Sequence, residues 1–112
     1  MKIFHNPRCR KSREGVQYLT DKKINFEIFD YLKEGVSEDD IKSILKKLNM
    51  SAIEIVRKNE KIWKDNFKGK ELKEEQIISI LCEEPKLIER PIIVHKNKAV
   101  IGRPKENIDS LL

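Results

Sequence analysis

Cys9 is followed three residues later by a hydroxyl, in Cys9-Arg10-Lys11-Ser12, and residues 1–13 hold five basic side chains and no acid. A thiol in that company is a candidate nucleophile. Lys2–His5 is a short β-competent run that Asn6-Pro7 breaks, and Cys9 to Lys22 carries Val16 and Leu19 at helical spacing. The sulfur is therefore expected at a helix start, where free backbone N–H groups and the macrodipole favour an anion. Arg8, Arg10, Lys11 and His5 are close in sequence, and surroundings of this kind stabilise a thiolate. One turn of helix brings the Ser12 hydroxyl and amide near the sulfur, each a potential donor to it. The motif has no second cysteine, so an internal disulfide is impossible and an external thiol has to resolve any covalent intermediate. Lone thiols are ordinarily structural, and Cys82, beside Ile77, Ile78 and Leu81, reads that way.

Arginines supply the other half of the chemistry. Arg90-Pro91 and Arg103-Pro104 hold a guanidinium in extended backbone, and Arg57 is a third candidate. Guanidinium groups make forked hydrogen bonds to tetrahedral oxyanions. His5, His95, Cys9 and Cys82 have no metal-ligand spacing, and there is no glycine-rich phosphate loop. No metal and no bound cofactor are expected.

These residues need elements to carry them. Ile24–Asp30 alternates apolar and polar residues, as a strand does. Ser37-Glu38-Asp39-Asp40 is a helix start, followed by Ile41, Ile44, Leu45 and Leu48 on one face. Ser51-Ala52-Ile53-Glu54 repeats that start for a short helix ending near Lys58. Residues 59–72 are polar and read as a mobile surface loop anchored by Trp63 and Phe67. Lys73–Glu84 is a further amphipathic helix stopped by Pro85. Pro91–His95 and Ala99–Ile101 form a hairpin about Lys96-Asn97-Lys98, and Gly102-Arg103-Pro104 opens a terminal helix with Pro104 at N1. The order β-α-β, helical insertion, β-β-α describes an α/β fold with a mixed sheet, and residues 1–112 form one domain.

Composition narrows the class. The 112 residues include 24 Lys and Arg against 19 Asp and Glu, a net charge of +5. The excess sits in two segments, 1–13 and 90–105, each with five basic residues and no acid, while residues 14–89 hold 14 basic and 17 acidic side chains. Nucleic-acid binders interleave basic stripes with aromatics, yet Phe4 is the only aromatic in either segment. Binding of a small anion suits the pattern and nucleic acid does not. No apolar run is long enough for a membrane span, and the N-terminal residues have no apolar signal region. A cytoplasmic location is expected, and two cysteines are too few for a disulfide scaffold.

His5-Asn6-Pro7-Arg8-Cys9-x-x-Ser12-Arg13, Arg57-Lys58-Asn59, Leu87-Ile88-x-Arg90-Pro91-Ile92-Ile93-Val94 and Ile101-Gly102-Arg103-Pro104 together resemble the ArsC family, the glutaredoxin-coupled arsenate reductases, most nearly its short chromosomal members. The resemblance implies a thioredoxin-like fold with a helical insertion, and reduction of arsenate to arsenite with electrons from glutathione and glutaredoxin. It makes Cys9 the nucleophile that forms a thiol–arsenate adduct, and Ser12 and His5 the residues that favour its thiolate. Arg57, Arg90 and Arg103 become the oxyanion-binding arginines, with Arg90-Pro91 at a cis-proline position. A monomer is expected. The Spx-type regulators, which bind RNA polymerase and sense redox state, share the fold; they typically carry CxxC and lack the full arginine set. A Spx-like regulator or an orphan thiol reductase is the alternative reading.

Overall fold

A computed structural model describes residues 1–112. Four strands, β1 (Lys2–Phe4), β2 (Glu27–Phe29), β3 (Ile92–His95) and β4 (Lys98–Ile101), form one mixed sheet in the order β2-β1-β3-β4. β1 and β2 are parallel, with Phe4 opposite Phe29. β3 is antiparallel to both neighbours, with Ile92 opposite Phe4 on one side and Ile101 on the other. This register brings the C-terminal ends of β1, β2 and β4 and the start of β3 to one end of the sheet. The segments that carry Cys9, Arg90 and Arg103 attach there.

Strand side chains alternate between faces, and the two faces are covered differently. Ile3 and Ile93 pack with Leu19 of α1 (Arg10–Asp21) and with Ile108 and Leu111 of a terminal 3-10 segment, Lys105–Leu111. Phe4, Ile92 and Ala99 face the larger cluster, built on α3 (Glu38–Leu48) and α5 (Glu74–Glu83). The sheet is thus sandwiched, with the insertion between β2 and β3 supplying one layer.

Local chemistry explains most boundaries. Ser37 Oγ accepts from the Asp40 amide at 3.0 Å and Asp40 Oδ2 accepts from the Ser37 amide at 3.1 Å, so α3 begins with a reciprocal cap. Asn49 ends it in the left-handed region at φ 58°, which Asn tolerates better than most residues. Asp30 caps a one-turn helix, α2 (Tyr31–Glu34), by accepting from the Lys33 amide at 3.2 Å.

Four expectations need correction. β2 spans three residues, not seven, because β1 offers only Lys2–Phe4 to pair with, and Ile28 is left 52% exposed. The segment after Ser51 is a 3-10 turn, Ala52–Ile55; Val56 leaves it to form a bridge with Ile88. Residues 59–72 contain a helix, α4 (Lys61–Asn66), and Trp63 is only 6% exposed with its ring 5.5 Å from that of Phe67. Burying an aromatic side chain contributes about 2–3 kcal/mol, which ties this segment to the core. Finally, Pro104 caps the terminal 3-10 segment at the N-cap instead of occupying N1.

Candidate active site

The loop between β1 and α1 is knitted by its own groups. The Cys9 amide donates to the Asn6 carbonyl at 3.0 Å, the Arg8 amide to Asn6 Oδ1 at 3.0 Å, and Arg13 Nη1 to the Pro7 carbonyl at 2.9 Å. Cys9 is the N-cap of α1, and the first helical bond runs from the Arg13 amide to the Cys9 carbonyl at 3.0 Å. The amides of Arg10, Lys11 and Ser12 are therefore free at the end that Cys9 caps, three donors for a sulfur anion or a ligand beside it. Cys9 itself is 8% exposed and forms no disulfide.

Ser12 does different work from that expected of its spacing. The side chain is fully buried, and its oxygen accepts from the Asn6 amide at 2.9 Å and lies 2.7 Å from His5 Nδ1. It fastens the loop to the helix and makes no bond to the sulfur. Burial pushes the His5 pKa below its ordinary 6.5; the Asp30 charge opposes this and Arg13 adds to it. His5 is consequently a neutral ring near pH 7, acting on Ser12.

The neighbouring cations are also placed differently from the simple sequence picture. Arg10 Nε contacts Glu14 Oε1 at 3.3 Å and Lys11 Nζ contacts Glu14 Oε2 at 3.5 Å, so both lean along the helix surface. That pairing holds the Glu14 carboxyl below its ordinary range, with the Arg10 hydrogen bond the main cause. What the structure places at Cys9 is the helix end with its free amides.

Arg90 precedes β3 and Arg103 follows β4, so both flank the same end of the sheet, and Arg57 is tied to the segment that leads into β3. The Arg57 amide donates to the Leu87 carbonyl at 2.7 Å beside the Val56–Ile88 bridge, and the Gly102 amide donates to the Pro91 carbonyl at 2.8 Å. These bonds set the Arg57 backbone beside Leu87, three residues ahead of Arg90, and the Arg103 backbone one residue beyond the partner of Pro91. Their side chains differ. Arg90 is half-buried, with Nε and Nη1 buried and lacking any partner. Arg57 is held by the Glu60 carboxylate and reaches the Lys86 carbonyl at 3.4 Å. Arg103 is exposed and has no ion-pair partner. The peptide bonds Arg90–Pro91 and Arg103–Pro104 are both cis.

Three features escape a reading of the sequence. Glu60 is one. Pro91 is the second: it is fully buried between two glycines, and a Cβ on Gly15 would lie 2.9 Å from its ring and one on Gly102 3.1 Å from it. The third is Tyr31, whose hydroxyl is buried without a partner. Its signal is its place just beyond a parallel strand, at the sheet end where such folds bind ligands. Cys82 lies on α5, half-buried, and burial foremost pushes its thiol pKa up. No group of His, Cys, Asp and Glu side chains is arranged to hold a metal, and no helix is long and apolar enough to cross a membrane.

The sequence profile described as the ArsC family matches residues 4–111. The Escherichia coli K12 protein with the name "Uncharacterized protein YfgD" is 41% identical over 110 residues, which cover 96% of this chain and 92% of that protein. An arsenate reductase of Neisseria meningitidis serogroup A is 35% identical over 114 residues, 100% of this chain and 97% of its own. The solved structure of an arsenate reductase from Vibrio cholerae superposes with a TM-score of 0.94 at 33% identity, covering 100% of this chain and 98% of that one. The chain belongs to the ArsC family, and its mixed sheet with a helical insertion is the thioredoxin-like fold of that family.

Proposed function

We propose that the protein is a thiol-dependent arsenate reductase that uses Cys9 as nucleophile and takes its electrons from glutathione and glutaredoxin. The observation that carries the reading is the pairing of Cys9, on a helix end with three free amides, with Arg90, whose buried Nε and Nη1 have no partner, at the same end of the sheet. A thiolate attacking an oxyanion is a like-charge encounter, and fixed donors aimed at the developing charge offset that repulsion. Arsenate near neutral pH presents several acceptor oxygens to such donors.

The chemistry balances with two external thiols. The Cys9 sulfur bonds to arsenic while an As–O bond breaks and its oxygen leaves as water. A first external thiol attacks the Cys9 sulfur, the S–As bond breaks with its electron pair going to arsenic, arsenic departs as arsenite, and Cys9 is left in a mixed disulfide. A second thiol frees Cys9 and carries away the disulfide. The net change is arsenate and two thiols to arsenite, one disulfide and water. Ser12 closes off an internal route, and Cys82, on α5 with a raised thiol pKa, is unsuited to the role.

In this reading Ser12 and His5 hold the loop, Arg90 binds the oxyanion, and Arg57 and Arg103 complete the charge balance. The test is arsenate-dependent NADPH oxidation coupled through glutathione, glutathione reductase and glutaredoxin. Wild-type protein turns over and Cys9→Ser does not. Arg90→Lys keeps the charge but loses the fork, and kcat/KM falls by about tenfold or more. Turnover by Cys9→Ser equal to wild type contradicts the proposal.

A further inference from the structure

Tyr31 opens α2 immediately after β2, and the parallel pairing of β1 with β2 sets it beside the Cys9 loop. Phe29, two residues earlier, accepts from the His5 amide at 2.9 Å. α2 packs in turn on the Pro85–Leu87 turn, and the Leu87 carbonyl holds the Arg57 amide just ahead of Arg90. Tyr31 therefore lies between the nucleophile loop and the arginine-bearing segment.

The side chain is 1% exposed, and its hydroxyl is buried without a hydrogen-bond partner. Arg90 Nε and Nη1 are in the same condition. Buried polar groups are nearly always paired, and each exception calls for an explanation. Packing does not supply one, because a phenylalanine ring would fill the same apolar shell. The charges of Cys9 and Arg57 both reach the hydroxyl. Burial above all, with smaller contributions from Cys9, Asp30 and Glu89, raises the phenol pKa against the pull of Arg57. The group stays protonated over the working pH range and remains a donor.

We infer that Tyr31 is a further anion-binding residue, whose hydroxyl donates a hydrogen bond to the oxyanion that Arg90 holds over Cys9. This rests on the reductase reading above. One tetrahedral oxyanion offers enough acceptors for the Tyr31 hydroxyl and both orphaned Arg90 donors at once.

The test compares wild type with Tyr31→Phe in three measurements. These are protection of Cys9 from iodoacetamide by arsenate without reducing thiol, steady-state kinetics, and urea unfolding. The arsenate concentration for half-protection rises by about tenfold or more in Tyr31→Phe, matching the loss of one hydrogen bond to a charged group. KM rises in step, and the unfolding midpoint stays the same or increases because an unpaired hydroxyl has been removed. Equal protection and equal KM in the two proteins overturn the inference, as does a loss of stability with unchanged kinetics, which marks a structural hydroxyl. Absence of any arsenate protection in wild type overturns the reductase reading and this inference together, whereas protection in wild type that Tyr31→Phe retains in full overturns this inference alone.

Discussion

His5 and Ser12 meet at 2.7 Å, Nδ1 to Oγ, with the serine fully buried and the histidine nearly so. The same oxygen holds the Asn6 amide, so one hydroxyl joins β1, the Cys9 loop and α1. Ser12→Ala leaves two buried polar groups without a partner and lowers unfolding free energy by about 1–3 kcal/mol. Lys11→Ala, at the surface, stays within about 0.5 kcal/mol. Urea titration of the two variants checks the contrast.

The buried imidazole also gives the protein a pH dependence of known sign. The folded-state pKa of His5 is depressed below 6.5, so between that value and 6.5 the unfolded chain binds more protons than the folded one. Stability from this group is complete above pH 6.5 and is lost as pH falls from 6.5 through the folded-state value. His5→Asn keeps a polar atom near the Nδ1 position and cannot titrate. The wild-type minus variant stability difference therefore declines with falling pH below 6.5 and is flat above it. A difference that grows with acidification contradicts the assignment.

Gly15 and Pro91 leave no room for a side chain on the helix, since a Cβ would come to 2.9 Å from the proline ring. Alanine improves helix propensity by about 1 kcal/mol, but overpacking a rigid buried contact costs about 1–3 kcal/mol. The clash prevails because Pro91 is fully buried and cannot retreat. Gly15→Ala is therefore destabilised in calorimetry, and arsenate turnover falls as α1 and its N-cap Cys9 shift.

Arg57 is engaged by Glu60 through an ion pair between half-buried side chains. An oxyanion has to compete with that carboxylate. Glu60→Gln removes the competitor's charge, and KM for arsenate falls by about two- to fivefold, the range of a partly exposed ion pair. A raised KM in this variant would show that Glu60 positions Arg57 for the substrate instead of withholding it.

Tyr18 donates to Asp109 Oδ1 at 2.6 Å, joining α1 to the C-terminal segment. That hydrogen bond, followed by burial, pushes its pKa up to about 12. The contribution to stability is present below pH 10 and is lost as pH rises from 10 through about 12. With Tyr31 raised as well, neither of the two tyrosines ionises near pH 10 in the folded protein. Ultraviolet titration shows this directly, and Asp109→Asn brings one transition back toward 10.

What is legible in the sequence depends on how far apart the interacting groups lie. Cys9 at a helix start and the Ser37–Asp40 cap are local patterns, and both stand as read. Which way Arg10 and Lys11 point is left open by the sequence, and the structure sets both on Glu14, one turn on. α4 is hidden because six residues with Trp63 and Phe67 as anchors are too few for a helical period to register. Tyr31 and the Gly15–Pro91–Gly102 packing depend on strand register and on contacts between distant segments, which no local spacing encodes.

The proposed reduction of arsenate runs through Cys9 and through no other thiol of this chain. Arsenite formed from arsenate, with glutathione and glutaredoxin present, is quantified by chromatographic arsenic speciation for wild type, Cys9→Ser and Cys82→Ser. Wild type and Cys82→Ser give equal arsenite, and Cys9→Ser gives none above background. Arsenite formation that survives in Cys9→Ser, or that disappears in a folded Cys82→Ser, contradicts it.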